Sequence, residues 1–301
     1  MKILISGASG LVGSALIARL TKDGHQVVRL VRAQPPPGVP VVVWIPGKGV
    51  LDVAALEGFD AIVHLAGESI ATGRWTMEKK ARIRDSRVRR TELLAGTIAR
   101  LSRPPAVLLC ASAIGFYGDR GDEILTEESA SGKDFLSEVC RAWEAASEPA
   151  ARKGVRVVRH RFGVILSPAG GALAKMLLPF KLGLGGRVGD GRQFMSWISL
   201  DDVVDELMHT LGAKDLRGAV NTVSPRPATN AEFTSTLGRV LRRPVIFPMP
   251  AFAARLAFGE MADALLLSSQ RVEPKRLLAS GYRFRYPDLE AALRHLLDRL
   301  A

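Results

Sequence analysis

The stretch Gly7-Ala8-Ser9-Gly10-Leu11-Val12-Gly13 constrains the fold of this chain more than any other. It follows the apolar run Lys2-Ile3-Leu4-Ile5-Ser6 and leads into Ser14-Ala15-Leu16-Ile17-Ala18-Arg19-Leu20, which reads as an amphipathic helix. Strand, glycine turn and helix in that order are what a dinucleotide site requires. One glycine turns the chain, one lets the backbone approach a pyrophosphate, and one lets the helix pack closely on the sheet. Free N–H groups and the positive end of the helix dipole then face the phosphates. Gly7, Ser9, Gly10, Leu11, Val12 and Gly13 are therefore candidate cofactor-binding residues. The spacing is G-x-x-G-x-x-G, and the flanking strand and helix are what separate it from an ordinary turn.

The pattern continues downstream. Short apolar, mostly β-branched runs at 27–31, 41–45, 61–65, 106–110 and 155–160 alternate with helical patterns near 11–22, 77–101 and 133–153, and with a shorter one around 53–58. Buried strands between helices imply a parallel sheet covered on both faces. The expected fold is α/β, a doubly wound parallel sheet of the Rossmann type, with ligands beyond the carboxyl ends of its strands. The character changes after about Ser167. A glycine-dense stretch, 183–191, suits either a mobile cover or a surface hairpin, and residues 221–223 read as one more strand. Prolines 225, 227, 244, 248 and 250 punctuate a smaller, mostly helical lobe on the substrate side. The expected division is 1–166 with 195–223 for the dinucleotide-binding domain, and 167–194 with 224–301 for the lobe. Pro35-Pro36-Pro37 reads as a stiff connector.

The charge balance is basic, 42 Lys and Arg against 30 Asp and Glu, a net charge of +12. The cations are spread along the chain, with short clusters such as 82–90, and no nucleic-acid-binding signature accompanies them. Nucleic acid is not an expected partner; anionic small ligands are. No apolar run approaches the ~20 residues of a membrane span, so no membrane is expected either. Two cysteines, Cys110 and Cys140, make no disulfide framework and suit a cytoplasmic chain. Five scattered histidines, among them His64, give no metal site.

The end of the second strand bears on the cofactor. An acid there would bond the ribose 2′-hydroxyl of NAD. The stretch reads Val27-Val28-Arg29-Leu30-Val31-Arg32, without an acid. Arg32 can fork onto a 2′-phosphate, which favours NADP over NAD.

Several further motifs carry a resemblance. They are His64-Leu65-Ala66-Gly67-Glu68, Gly73-Arg74-Trp75-Thr76, Arg84-Asp85-Ser86-Arg87 and Ser112-Ala113-Ile114-Gly115-Phe116-Tyr117-Gly118. Beyond them come Ser167-Pro168-Ala169-Gly170-Gly171, Met195-Ser196-Trp197-Ile198 and Ser269-Gln270-Arg271-Val272. With these the chain resembles, along essentially its whole length, the extended, epimerase-like form of the short-chain dehydrogenase/reductase superfamily. More closely it is similar to an atypical NAD(P)-binding branch whose bacterial members are often labelled epimerases or cell-division inhibitors. Trp44-Ile45-Pro46 departs from that branch, which usually has an acid at the middle position.

The resemblance implies roles. Leu65, Ala66 and Gly67 match the strand-end turn that passes the cofactor's ribose and pyrophosphate, and Arg87 falls where extended members often carry an Asn. Phe162, Gly163 and Val164 match the stretch beside the nicotinamide, although Phe162 and Val164 serve equally as core. Superfamily chemistry uses a Ser to orient a carbonyl, a Tyr to pass a proton, and a Lys four residues later to lower the Tyr pKa. Ser112 fits the first role. With Glu144 anchoring the register, Leu136 takes the Tyr position and Cys140 the Lys position, and neither can perform that chemistry. Tyr117 matches a second tyrosine near the substrate, which makes Ser112 and Tyr117 the catalytic candidates. Cys140, beside Arg141, reads either as a thiol of lowered pKa or, in preference, as a buried structural cysteine. Glu68, Arg74 and Trp75 either frame a polar substrate or pin the connection they lie on.

Two functional readings follow. One is an NADP(H)-dependent oxidoreductase or epimerase-like enzyme acting on a small polar molecule, with a homodimer left open. The other is a non-catalytic NADP(H)-binding redox sensor or interaction protein. The missing Tyr and Lys favour the second, and the retained Ser112, Tyr117, glycine turn and lobe favour the first.

Overall fold

A computed structural model describes residues 1–33, 38–44 and 51–298; the Pro35–Pro37 connector and Ile45-Pro46 lie outside them. The chain alternates strand and helix through β1 (Lys2–Ser6), α1 (Leu11–Lys22), β2 (Gln26–Val31), β3 (Val41–Val43), β4 (Ala61–His64), α2 (Met77–Asp85), α3 (Val88–Ile98) and β5 (Val107–Ala113). A short β6 (Ile124–Leu125) precedes α4 (Phe135–Ala145), α5 (Glu148–Arg152), β7 (Arg156–Phe162) and β8 (Val164–Leu166). Then come α6 (Gly171–Lys181), β9 (Phe194–Met195), β10 (Trp197–Ser199), α7 (Leu200–Gly212) and β11 (Gly218–Thr222). The chain closes with β12 (Ala228–Thr229), α8 (Asn230–Leu241), α9 (Ala251–Phe258), α10 (Glu260–Ala262), β13 (Arg271–Val272), α11 (Lys275–Ala279) and α12 (Leu289–Asp298).

Seven strands form one sheet in the order β11-β7-β5-β4-β1-β2-β3, every pair parallel. Side-chain alternation covers its two faces. Ile3, Ile5, Ala61, Val63 and Leu109 pack under α1 and α7, while Leu4, Ile62, Leu108 and Cys110 pack under α3 and α5. The chain leaves β1 toward β2 on one side and reaches β4 on the other, which puts the topological switch point between the carboxyl ends of β1 and β4.

A third apolar cluster joins Leu173, Leu177 and Phe180 of α6 to Phe233 and Leu237 of α8 and to α12. Leu277 and Tyr282, within the range the sequence assigns to the lobe, instead join the cluster under α7.

Two helical patterns are broken in the structure. The 77–101 pattern divides at Ser86-Arg87, where the Ser86 hydroxyl donates to the Ile83 carbonyl. The 133–153 pattern divides before Pro149, whose missing N–H cannot continue a helix. The glycine-dense stretch does not pair with itself as a hairpin. It runs parallel to 247–249, with Met249 N–H donating to Arg187 O (2.8 Å) and Gly189 N–H to Met249 O (2.9 Å). A Cβ on Gly186 would stand 1.8 Å from the Phe247 carbonyl oxygen, so only glycine allows this approach. Among the described residues no helix is long and apolar enough to cross a membrane.

Across the switch point, Ser6 Oγ hydrogen-bonds His64 Nδ1 at 2.6 Å. His64 is fully buried and its Nε2 has no partner among the described residues, so burial, helped by the charge of Arg90, lowers its pKa to about 4. In the unfolded chain a histidine takes up its proton below ~6.5. The stabilisation is therefore complete above that pH and is lost as pH falls toward about 4. This group alone should cost ~3 kcal/mol across that window. Urea denaturation of the wild type and of His64→Asn at pH 7 and pH 4.5 should show a flatter pH dependence in the variant. Equal slopes would put the acid sensitivity elsewhere.

Candidate functional site

The glycine turn sits at the switch point. Gly7 has φ +72°. A Cβ on it would lie 2.8 Å from the Leu65 carbonyl carbon, and one on Gly13 would lie 2.2 Å from Gly7 O. Both glycines are demanded by the protein's own packing. Gly10 differs: the nearest atom to a Cβ there is Gly7 O at 3.2 Å, and the residue is exposed beside Ser9. The open side of Gly10 is where an outside group can approach the backbone. Helix α1 starts on Gly10 with no side-chain cap and no acid in its first turn, which leaves the N–H groups of Leu11, Val12 and Gly13 to an external acceptor. Val12 packs on the core below, and the Leu11 side chain reaches across to Gly170 in the loop before α6. This end of the cleft fits a pyrophosphate.

The facing turn follows β4. Leu65 and Ala66 are half-buried and Gly67 is exposed. A Cβ on Gly67 would be 3.4 Å from Arg87 Cζ, so the guanidinium lies directly behind this turn. Arg87 donates through Nη1 to Ile83 O (3.1 Å) and stacks 5.1 Å over Trp143. Burial lowers its pKa, against the nearby Cys140 and Glu68, and no carboxylate pairs with it among the described residues. At the far end of the cleft, Arg32 is exposed just past β2. Arg90 of α3 lies close enough that Arg32, after burial, lowers its pKa. Neither arginine has a hydrogen bond or ion pair with the described residues.

Ser112, at the end of β5, donates to Glu144 Oε1 at 2.8 Å. Glu144 also receives two bonds from Arg161, Nε at 2.7 Å and Nη2 at 2.9 Å. Arg161 Nη1 donates to the Tyr117 hydroxyl at 2.9 Å, and Tyr117 donates to Asn221 Oδ1 at 2.6 Å. Burial opposes the charge on Arg161, but Glu144 outweighs it and the pKa rises. Burial likewise pushes the Tyr117 pKa up to about 12, despite Arg161 beside it. Tyr117 is 0 % exposed, with its hydroxyl engaged as both donor and acceptor. It faces the interior and not the cleft. Cys140 is buried near the turn after β5, its thiol pushed up to about 12 by burial and Glu144.

The strand register explains this row. Ser112 pairs with Arg161 across β5 and β7, and Arg161 with Asn221 across β7 and β11. Sequence reasoning used Glu144 only to set register and missed Arg161, Asn221 and Arg90. The available signal was β7 itself, Arg-Val-Val-Arg-His-Arg-Phe, whose cations inside a parallel sheet require buried partners.

The remaining candidates are held by the protein. Glu68 pairs with the buried Lys79 (2.7 Å), which lowers its pKa. Arg74 Nη2 donates to Leu256 O (2.6 Å), and Trp75 Nε1 to Ile70 O (2.8 Å). All three pin the connection from β4 to α2, and Arg74 alone of them ties it to α9. Phe162 stacks on His160 at 5.8 Å and packs on the sheet core, while Val164 packs on the lobe cluster. Between them, a Cβ on Gly163 would stand 2.5 Å from Ser196 O. Among the described residues no group of His, Cys, Asp or Glu could hold a metal ion.

A fully parallel sheet of this order, with an uncapped glycine-rich helix start at its switch point, defines a dinucleotide-binding α/β fold. Residues 3–222 match the NAD dependent epimerase/dehydratase family, and residues 249–296 match a domain of unknown function, DUF1731. The chain belongs to that epimerase/dehydratase family, in its extended short-chain dehydrogenase/reductase-like branch. It is 43% identical to an epimerase family protein of Mycobacterium bovis, over 99% of this chain and 98% of that one. The crystal structure of human epimerase family protein SDR39U1 with NADPH superposes with TM-score 0.90 at 36% identity, covering 99% of both chains. A nucleoside-diphosphate sugar epimerase from Corynebacterium glutamicum gives TM-score 0.80 at 40% identity, over 99% of this chain and 58% of that one.

Removing one partner of the Glu144–Arg161 pair leaves a buried charge unmatched. Glu144→Ala should therefore lose ~3–5 kcal/mol of stability. The double variant Glu144→Leu/Arg161→Met, which removes both charges, should lose less than the single one in urea denaturation. A double variant as unstable as Glu144→Ala would show that the pair does not act as a unit.

Proposed function

We propose that this chain binds NADP(H) and acts as an oxidoreductase or epimerase-like enzyme on a small polar substrate. The observation that carries the cofactor choice is the Arg32–Arg90 pair. Arg90 feels the like charge of Arg32, with Glu68 acting on Arg90 in the opposite sense, and neither guanidinium is bonded to a carboxylate among the described residues; a 2′-phosphate supplies the anion that would relieve them. The NADPH in the human relative supports the same reading. The first-turn N–H groups of α1 would hold the pyrophosphate, and Arg87 would direct positive charge toward the ribose side of the Leu65–Gly67 turn.

NADP(H), when bound, supplies or accepts a hydride. The proton is this chain's concern. The Ser112 hydroxyl donates to Glu144, so its lone pairs are free to receive a proton from a substrate alcohol. As that proton arrives, the Ser112 proton passes to the carboxylate. This arrangement differs from the Tyr-Lys relay, for which Leu136 and Cys140 supply no group. Tyr117, Asn221 and Arg161 hold Glu144 in place and do not touch substrate. Ser112 is itself only 2 % exposed, so a substrate must reach it through the end of β5; its burial, with that of Tyr117 and Cys140, favours the second reading, a non-catalytic NADP(H)-binding sensor.

NADPH should raise the melting temperature more than NADH at equal concentration. Arg32→Ala and Arg90→Ala should each lose ~10- to 150-fold in NADPH affinity, and little in NADH affinity, by titration calorimetry. Equal stabilisation of the wild type by both cofactors would overturn the assignment.

A further inference from the structure

Exposed large apolar side chains are not spread evenly over this molecule. Most of those among the described residues fall in two segments, 171–189 and 242–258. Leu178 lies on the outer face of α6 with Leu182 just past its end, and Phe252 and Leu256 lie one turn apart on α9, at 72 % and 76 % exposure. Ile246 and Phe247 lie between them. The two segments adjoin. The glycine-dense stretch leaving α6 runs alongside 247–249, and α9 begins directly after it. The connection from β4 to α2 is tied to both helices, by Lys175 Nζ on Ala71 O (2.6 Å) and by Arg74 on Leu256 O.

The charge on these segments is of one sign. They carry Lys175, Lys181, Arg187, Arg242, Arg243 and Arg255, and no Asp or Glu. All six are exposed. Arg255 pairs with Asp263 at the border; Lys181, Arg187, Arg242 and Arg243 have no ion pair among the described residues. A patch of Leu, Ile and Phe within unpaired cations repels a second copy of itself, which argues against a symmetric dimer through this face. It is complementary to a surface that is anionic outside and apolar beneath.

We propose that this face of the lobe docks on an anionic lipid membrane. Phe252, Leu256, Leu178 and Leu182 enter the interface, and the unpaired Lys and Arg side chains meet lipid phosphates. The sequence argued against a membrane from the lack of a spanning segment; this contact lies on the bilayer and does not cross it. The proposal is independent of the cofactor.

Co-sedimentation of the full chain with phosphatidylglycerol and phosphatidylcholine vesicles tests it. Binding is expected to the first and not the second, and to weaken with added salt. Phe252→Ser/Leu256→Ser and Arg242→Glu/Arg243→Glu should each reduce affinity by more than about tenfold with an unchanged melting temperature. Arg103→Glu/Arg283→Glu, equal in charge but outside the patch, should bind like the wild type. Three results would overturn the proposal. They are no binding to phosphatidylglycerol, equal losses in the patch and control charge variants, or a dimer in vesicle-free solution that Phe252→Ser/Leu256→Ser dissolves.

Discussion

The close approach of the β1 and β4 ends is the constraint on which the rest depends. Gly7 can stand against the Leu65–Ala66 backbone only because neither a Cβ nor a negative φ is required of it. That contact brings two turns from opposite sides of the switch point to one cleft. It also sets the start of α1, because Gly13 must pass over Gly7 at the same time. A side chain at either position would part the turns, and with them the N–H groups of α1 and the guanidinium of Arg87.

Beyond that cleft the sheet has an ionic centre. Glu144, Arg161, Tyr117 and Asn221 occupy the carboxyl ends of three adjacent strands and one helix, with every strong donor among them matched. Such a set costs desolvation and returns geometry. Arg161 fixes both oxygens of Glu144, so Ser112 meets a carboxylate that cannot rotate away. The chemistry open to Ser112 is thus decided by a residue on the neighbouring strand and one on α4, neither of which need face the cleft.

The glycine turn and the alternating strands were legible because they depend on local conformation and on side-chain period. The breaks before Pro149 and within 77–101 were less so. The first has a local cause in proline, while the second depends on a serine bonding back to its own helix. The site divided in the same way. Arg32 could be read from its position after β2, whereas Arg90 comes from a helix far along the chain and meets it only in the fold. Ser112 was visible, but its partner depends on the registers of β5 with β7 and of β7 with β11. Glu68, Arg74 and Trp75 have the right chemistry for a substrate, and their commitments to Lys79, Leu256 and Ile70 are long-range or irregular contacts with no period to betray them. In the glycine-dense stretch, Gly183 and Gly189 serve turns that a sequence can suggest, whereas Gly186 serves the backbone of Phe247, a neighbour that only the fold supplies.

The two tethers between the lobe and the β4–α2 connection share a property. Lys175 and Arg74 are both donors, and both are received by backbone carbonyls, those of Ala71 and Leu256. Every residue type offers that carbonyl. The side chains at 71 and 256 can therefore change without loosening the join, and only the two donors are chemically required. A fold built this way can vary the surface that meets its surroundings while α6 and α9 stay joined to the β4–α2 connection.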